Sequence, residues 1–178
     1  MDALILRESH LSCRALVTLA RRLSPWLGPG LILHARHPDA LDIASASGWG
    51  LHLPGHADLA AARHRVTGLL GASCHTQAEV AEAEEAGCDY VLLSPIYRPH
   101  SKPTDGREPL GLGGMRKTIA GSTVPVIALG GMTPTRAQRC VSAGAHGVAT
   151  IGGLFGPDIG PEDCMAAARD LRAALDAG

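Results

Sequence analysis

Seven short runs of this chain are apolar at nearly every position, and a helix-like segment follows each one. The runs are Ala3–Leu6, Gly30–His34, Gly50–Leu53, Leu69–Ser73, Tyr90–Ser94, Val124–Leu129 and Gly147–Ile151. A strand with one wet face alternates apolar and polar residues, so runs without alternation mean strands covered on both faces. That is the condition of a parallel sheet sheathed in helices. The intervening segments Ser12–Leu23, Ala40–Ser47, Asp58–Val66, Thr76–Ala86, Leu112–Ala120, Thr135–Ala143 and Pro161–Ala177 supply those helices. Several begin on a side chain able to accept an orphan N–H, such as Ser12 and Thr76. Ala86-Gly87 and Ala143-Gly144 close two helices and return the chain to a strand, the repeating grammar of βα units.

These observations give an α/β fold of TIM-type (β/α) barrel architecture. Seven strand–helix units are present where such a barrel uses eight. The expectation is therefore a barrel lacking its first β/α unit, or one closed by other means, with residues 1–178 forming a single domain. An open barrel edge favours a partner subunit, so a homo-oligomer is expected. The formal net charge of −1 offers nothing to nucleic acid or to an acidic membrane surface. No apolar run reaches spanning length and no leader is visible, so a cytoplasmic location is expected. Five cysteines lack any C-x-x-C pair. Cys13, Cys88, Cys140 and Cys164 read as reduced, buried thiols, and Cys74 as a small core residue.

The last two strands carry the most chemistry. Val124–Leu129 ends in Gly130-Gly131, and Gly147–Ile151 ends in Gly152-Gly153. Glycine pairs at neighbouring strand ends let bare amides converge on an anion, since no Cβ intervenes. Following the last strands of a barrel, such a turn is a phosphate cup. Gly130, Gly131, Ile151 and Gly152 are its expected members, and a phosphorylated small molecule its expected ligand. The alternative is that these glycines only allow helix and strand to pack closely. The long irregular stretch Pro95–Pro109 reads as a lid or binding loop.

Several segments together resemble the thiamine-phosphate synthase family and its thiazole-tautomerase (TenI-like) branch, from residue 3 to about 156. They are Leu4-Ile5-Leu6-Arg7-Glu8, Gly50-Leu51-His52-Leu53-Pro54, Gly71-Ala72-Ser73-Cys74-His75, Asp89-Tyr90 through Ser94-Pro95-Ile96-Tyr97, Lys102, Ile127 through Pro134, and Gly147-Val148-Ala149. The resemblance implies a β/α barrel whose second strand matches the first run here. It also implies that Arg7 and Lys102 face phosphate groups and that Ser73 bonds a substrate ring or leaving group. A structural pairing of Arg7 with a carboxylate is the alternative for that residue.

The chain departs from the synthases where they hold Mg²⁺. Their Asn-Asp-Arg is His34-Ala35-Arg36 here, and a further acid gives way to Ala57, with Asp58 one position late. Alanine and imidazole cannot replace hard oxygen ligands, so no metal and no cofactor are expected. His34, His37, His52 and His56 raise a transition-metal site as a weaker option. Ser9 replaces a second cation of the synthases, and Pro95 stands where the tautomerase branch has a histidine. Leu53-Pro54 and Gly130–Pro134 favour that branch, in which a general acid/base moves a ring proton. His100, or His75 in second place, would carry the proton.

The expected function is thus a thiamine-biosynthesis enzyme binding a thiazole or thiamine phosphate at the barrel mouth and acting as a metal-independent tautomerase. One alternative is a true synthase coupling hydroxymethylpyrimidine diphosphate with thiazole phosphate. Others are an inactive phosphate-ligand-binding or regulatory protein, or another phosphate-using barrel enzyme.

Overall fold

A computed structural model describes residues 2–98, 107–156 and 158–177. Seven strands form one sheet in chain order: β1 (Leu4–Leu6), β2 (Leu31–His34), β3 (Gly50–Leu53), β4 (Leu70–Cys74), β5 (Tyr90–Leu93), β6 (Val126–Leu129) and β7 (Gly147–Ala149). Each is followed by a helix: α1 (Cys13–Leu27), α2 (Ala40–Ser47), α3 (Leu59–Arg63), α4 (Gln77–Glu85), α5 (Gly111–Ala120), α6 (Pro134–Ser142) and α7 (Pro161–Asp176). The seven βα units read from the sequence are all present, and the fold is α/β of TIM-barrel type.

Several boundaries differ from expectation, β6 for one starting at Val126 and not Val124. Helix α1 runs past Leu23 to Leu27 with Pro25 inside it, and a 3₁₀ turn, Gly28–Gly30, then leads into β2. Helix α3 stops at Arg63, three residues short of Val66. Strand β7 ends at Ala149, so Ile151 lies in a turn, not in a strand. Of the thiols expected to be buried, Cys13 is exposed and Cys164 half-buried, whereas Cys74, Cys88 and Cys140 are buried. Position 13 is the first residue of α1, beyond the Leu16 and Ala20 stripe that faces inward.

The chain resolves into two compact units, residues 1–73 with 81–91, and residues 74–80 with 92–178. In the first, the pairs β1–β2, β2–β3 and β3–β4 are parallel, with His34 level with His52 and His52 with Gly71. Leu31, Leu33, Leu51 and Leu70 are fully buried. Burying a side chain of this size contributes about 1.5–3 kcal/mol. Asp89 pins the start of β4: its Oδ2 accepts the Leu70 N–H at 2.7 Å and pairs with Arg63 Nη1 at 2.8 Å. Arg63 also donates to the carbonyls of Val66 and Gly68, which gathers the end of α3 and the entry to β4.

In the second unit, β6 and β7 are parallel, with Leu129 level with Ala149. Helix α6 starts on Thr133, whose hydroxyl accepts the Arg136 N–H, and Pro134 fits the first turn, where its missing donor is no loss. Helix α4 begins with a reciprocal cap, Thr76 Oγ1 accepting from Glu79 N and the Glu79 carboxylate accepting from Thr76 N and His75 N.

Candidate functional site

Within the first unit, polar side chains from β2, β3, β4 and the start of β5 gather in an otherwise apolar core. His52, only 1% exposed, lies between two hydroxyls: its Nδ1 is 3.1 Å from Tyr90 Oη and its Nε2 is 2.9 Å from Ser73 Oγ. The Tyr90 ring stacks on it at 5.7 Å. The ring of His34, the last residue of β2, lies 5.5 Å from it on the other side. His34 Nδ1 accepts the Arg36 N–H at 3.0 Å. Burial, then the positive charges of Arg7 and Arg36, push the His34 pKa down to about 4. Burial, then His34 and Arg7, push that of His52 down to about 3. Both rings are therefore neutral at physiological pH, and both are held there partly by Arg7. Arg7 itself is exposed just beyond β1 and makes no ion pair with a carboxylate among the described residues.

Of the histidines raised as metal ligands, His37 and His52 have both ring nitrogens engaged. His37 Nδ1 accepts the Asp39 N–H, leaving Nε2 to donate to the Leu11 carbonyl at 3.0 Å. No cluster of three or more metal-ligating side chains occurs among the described residues. Asp58 Oδ1 accepts the Ala61 N–H at 2.9 Å, capping α3.

Within the second unit the glycine turns come next. Gly130 and Gly131 have φ of 109° and 60°, a region open to glycine at little cost. An added Cβ on Gly131 would lie 2.6 Å from the Arg98 carbonyl oxygen. One on Gly153 would lie 3.7 Å from the Met132 carbonyl oxygen, so the turns after β6 and β7 adjoin. Among the described residues, no main-chain carbonyl takes the amide protons of Gly130, Gly131 or Gly152. Gly152 is exposed, as is Ile151.

The segment after β5 is built into the same turn. Ile96 N donates to Leu129 O at 2.9 Å, and Tyr97 N to Gly130 O at 3.2 Å. Arg136, from the first turn of α6, donates to Gly131 O at 2.7 Å and sits 4.7 Å over the Tyr97 ring. His75, at the head of α4, gives its Nδ1 to the Ser94 carbonyl at 2.6 Å. A proton on Nδ1 leaves the Nε2 lone pair open, the state a general base requires.

Of the site residues read from the sequence, Ser73 and Arg7 fall in the first cluster, and Gly130, Gly131, Ile151, Gly152 and His75 in the second unit. His100 and Lys102 lie outside the described residues. Sequence reasoning passed over Tyr90 and Arg136, and weighed His52 only as a metal ligand. A histidine inside the otherwise apolar run Gly50–Leu53 was the signal for His52. For Arg136 it was a cation in a helix's first turn, where the helix dipole disfavours one.

Residues 1–154 match the thiamine monophosphate synthase family, TMP-TENI. The chain belongs to that family. It is 35% identical to the thiamine-phosphate synthase of Chloroflexus aurantiacus, covering 94% of this chain and 76% of that protein. With the thiamine-phosphate synthase of Moorella thermoacetica the identity is 38%, over 96% of this chain and 80% of the relative. It also aligns with 26% of the bifunctional ThiM/ThiE protein of Symbiobacterium thermophilum, at 42% identity over 68% of this chain. In three dimensions it is similar to thiamine phosphate pyrophosphorylase from Pyrococcus furiosus, with a TM-score of 0.81 at 24% identity over 99% of this chain and 83% of that one. The family is one of thiamine-biosynthesis enzymes. Among this member's described residues, no helix is long and apolar enough to cross a membrane.

Proposed function

We propose that this family member binds a thiazole phosphate, with the phosphoryl group on the amides of Gly130, Gly131 and Gly152, and isomerises the ring by proton transfer without a metal. The observation that carries the reading is the pair of adjoining glycine turns whose amide protons have no main-chain acceptor among the described residues. Neighbouring amides without a main-chain acceptor attract an anion and need no side chain to do so.

The metal-independent part rests on the chemistry of the available donors. The position that would supply a carboxylate after β2 is Ala35, flanked by a neutral His34 and by Arg36. After β3 the position is Ala57, and the nearby Asp58 caps α3. Mg²⁺ asks for several hard oxygens in tight octahedral array, and this set does not suit it. Departure of a diphosphate would then lack its usual charge stabilisation. Proton transfer has no such need. His75, with its Nε2 lone pair open, is the described residue suited to it. His100 and Lys102 enter on the resemblance alone, as proton carrier and phosphate-neutralising cation.

A second reading, true thiamine-phosphate synthase activity, is favoured by the names of the relatives at 35% and 38% identity. Isothermal titration with thiazole phosphate tests the shared part of both readings. Two assays separate them: isomerisation of the thiazole phosphate carboxylate, and thiamine phosphate formation with and without Mg²⁺. Isomerisation that ignores chelators supports the proposal. Mg²⁺-dependent coupling at an ordinary enzymatic rate overturns it, and tight binding with neither turnover identifies a ligand-binding protein instead.

A further inference from the structure

The Tyr90–His52–Ser73 chain has a direction, and the direction follows from one proton. The Tyr90 hydroxyl carries a single hydrogen, and burial pushes its pKa well above the ordinary value, so it stays protonated. Among the described residues, the hydrogen-bond partner of that hydroxyl is His52 Nδ1, at 3.1 Å. A buried O–H is rarely left without an acceptor. It therefore donates to Nδ1, which must be unprotonated. His52 is neutral, so its one ring proton is on Nε2, and Nε2–H donates to Ser73 Oγ at 2.9 Å. One lone pair of the serine oxygen is thereby taken. The serine's own proton is left to point away from His52, toward whatever acceptor stands there.

A second feature holds the same chain from below. His52 is level with Gly71 across β3 and β4. A Cβ on Gly71 would fall 2.1 Å from Tyr90 Cζ, with two further ring carbons at 2.4 and 2.6 Å. Any side chain there would evict the tyrosine ring from its place against His52, so the bare strand at Gly71 is the seat of that ring.

We propose that Tyr90 and His52 are positioning residues that lock Ser73 Oγ–H as a hydrogen-bond donor toward the bound ligand, so that the ligand must present an acceptor to it. This deepens the functional reading above and rests on it for the choice of probe, thiazole phosphate. Tyr90 and His52 touch no ligand; they act only through Ser73.

Two measurements decide it. In free protein labelled with ¹⁵N-histidine, His52 is expected as the Nε2–H tautomer, and Tyr90→Phe, which deletes only the donor to Nδ1, is expected to mix or invert the tautomers. In titrations with thiazole phosphate, Ser73→Ala and Tyr90→Phe are each expected to weaken binding about 3- to 10-fold, the range for one hydrogen bond. His52→Gln is expected within about 2-fold of wild type, because a glutamine amide can donate to Ser73 in place of Nε2–H. A purely structural role would still move the tautomer in Tyr90→Phe but would leave the affinity for thiazole phosphate unchanged in Tyr90→Phe and Ser73→Ala. An Nδ1–H tautomer in wild type overturns the inference, as does unchanged affinity in Tyr90→Phe once its tautomer has shifted. The tautomer measurement needs no ligand. Wild-type protein with the Nε2–H tautomer and no affinity for thiazole phosphate therefore defeats the functional reading, leaving the orientation of Ser73 established.

Discussion

Acid should loosen this protein chiefly through one buried ring, and the size of the effect can be worked out. A histidine in an unfolded chain titrates near 6.5, whereas folded His52 is held down to about 3 by burial and by the charges of His34 and Arg7. Between those values the unfolded chain binds a proton that the folded chain refuses. Stability contributed by the neutral ring is complete above about pH 6.5 and is lost as pH falls toward 3. From about pH 7 to about pH 5 the loss is roughly 1.5 pH units at 1.36 kcal/mol each, or about 2 kcal/mol. His34, held down to about 4, follows the same sign. It is only half-buried, so solvent screening reduces its share to about 1 kcal/mol. Wild type is therefore expected to lose about 3 kcal/mol over this interval and His52→Gln only about 1, since glutamine does not titrate. Urea unfolding followed by circular dichroism at the two pH values, for both proteins, measures the difference directly. Equal losses in wild type and His52→Gln would show that the ring is not held neutral by its surroundings, and the reasoning would fail.

Other substitutions test the remaining contacts. Gly71→Ala is expected to cost about 1–3 kcal/mol by overpacking against Tyr90, and tyrosine fluorescence together with urea unfolding checks it. Asp89→Ala removes the acceptor of the Leu70 N–H and the partner of Arg63, with an expected loss of about 1–3 kcal/mol, or roughly 3–8 °C in Tm by calorimetry. Gly131→Ala meets both a left-handed φ and the Arg98 carbonyl, so calorimetry should find about 1–2 kcal/mol or more of destabilisation and titration a weaker hold on thiazole phosphate. Arg136→Met releases the Gly131 carbonyl and the Tyr97 ring. Its affinity for thiazole phosphate is expected to fall several-fold, by less at high salt.

The fold was legible because it is written in redundant signals. Apolar runs, Ala-Gly helix ends and hydroxyl caps all point to the same seven βα units. Where a single residue contradicted its neighbours, the sequence misled. Pro25 suggests a helix end, yet α1 runs through it, and Ile151 extends an apolar run whose hydrogen bonding has already stopped at Ala149. Of the candidate site, only the backbone turns were legible, since glycine pairs announce themselves. Side-chain geometry was not. Nothing in the spacing of His52, Ser73 and Tyr90 tells that one ring joins two hydroxyls 21 and 38 residues away. Asp58, one position late for the acid of the synthases and first in the expected helix Asp58–Val66, is spent on a helix cap.

The short segment behind β5 uses its peptide groups in opposite directions. Ile96 and Tyr97 send their N–H groups to Leu129 and Gly130, while the carbonyls of Pro95 and Ile96 receive the N–H groups of Leu110 and Gly111 at 2.9 and 3.1 Å. It is a splice joining the glycine turn to the head of α5. Whatever pulls on Gly130 tugs on α5 through two peptide planes. Slowed amide exchange at Leu110 and Gly111 would then report occupancy of the glycine turn from a distance, without any probe on the turn itself.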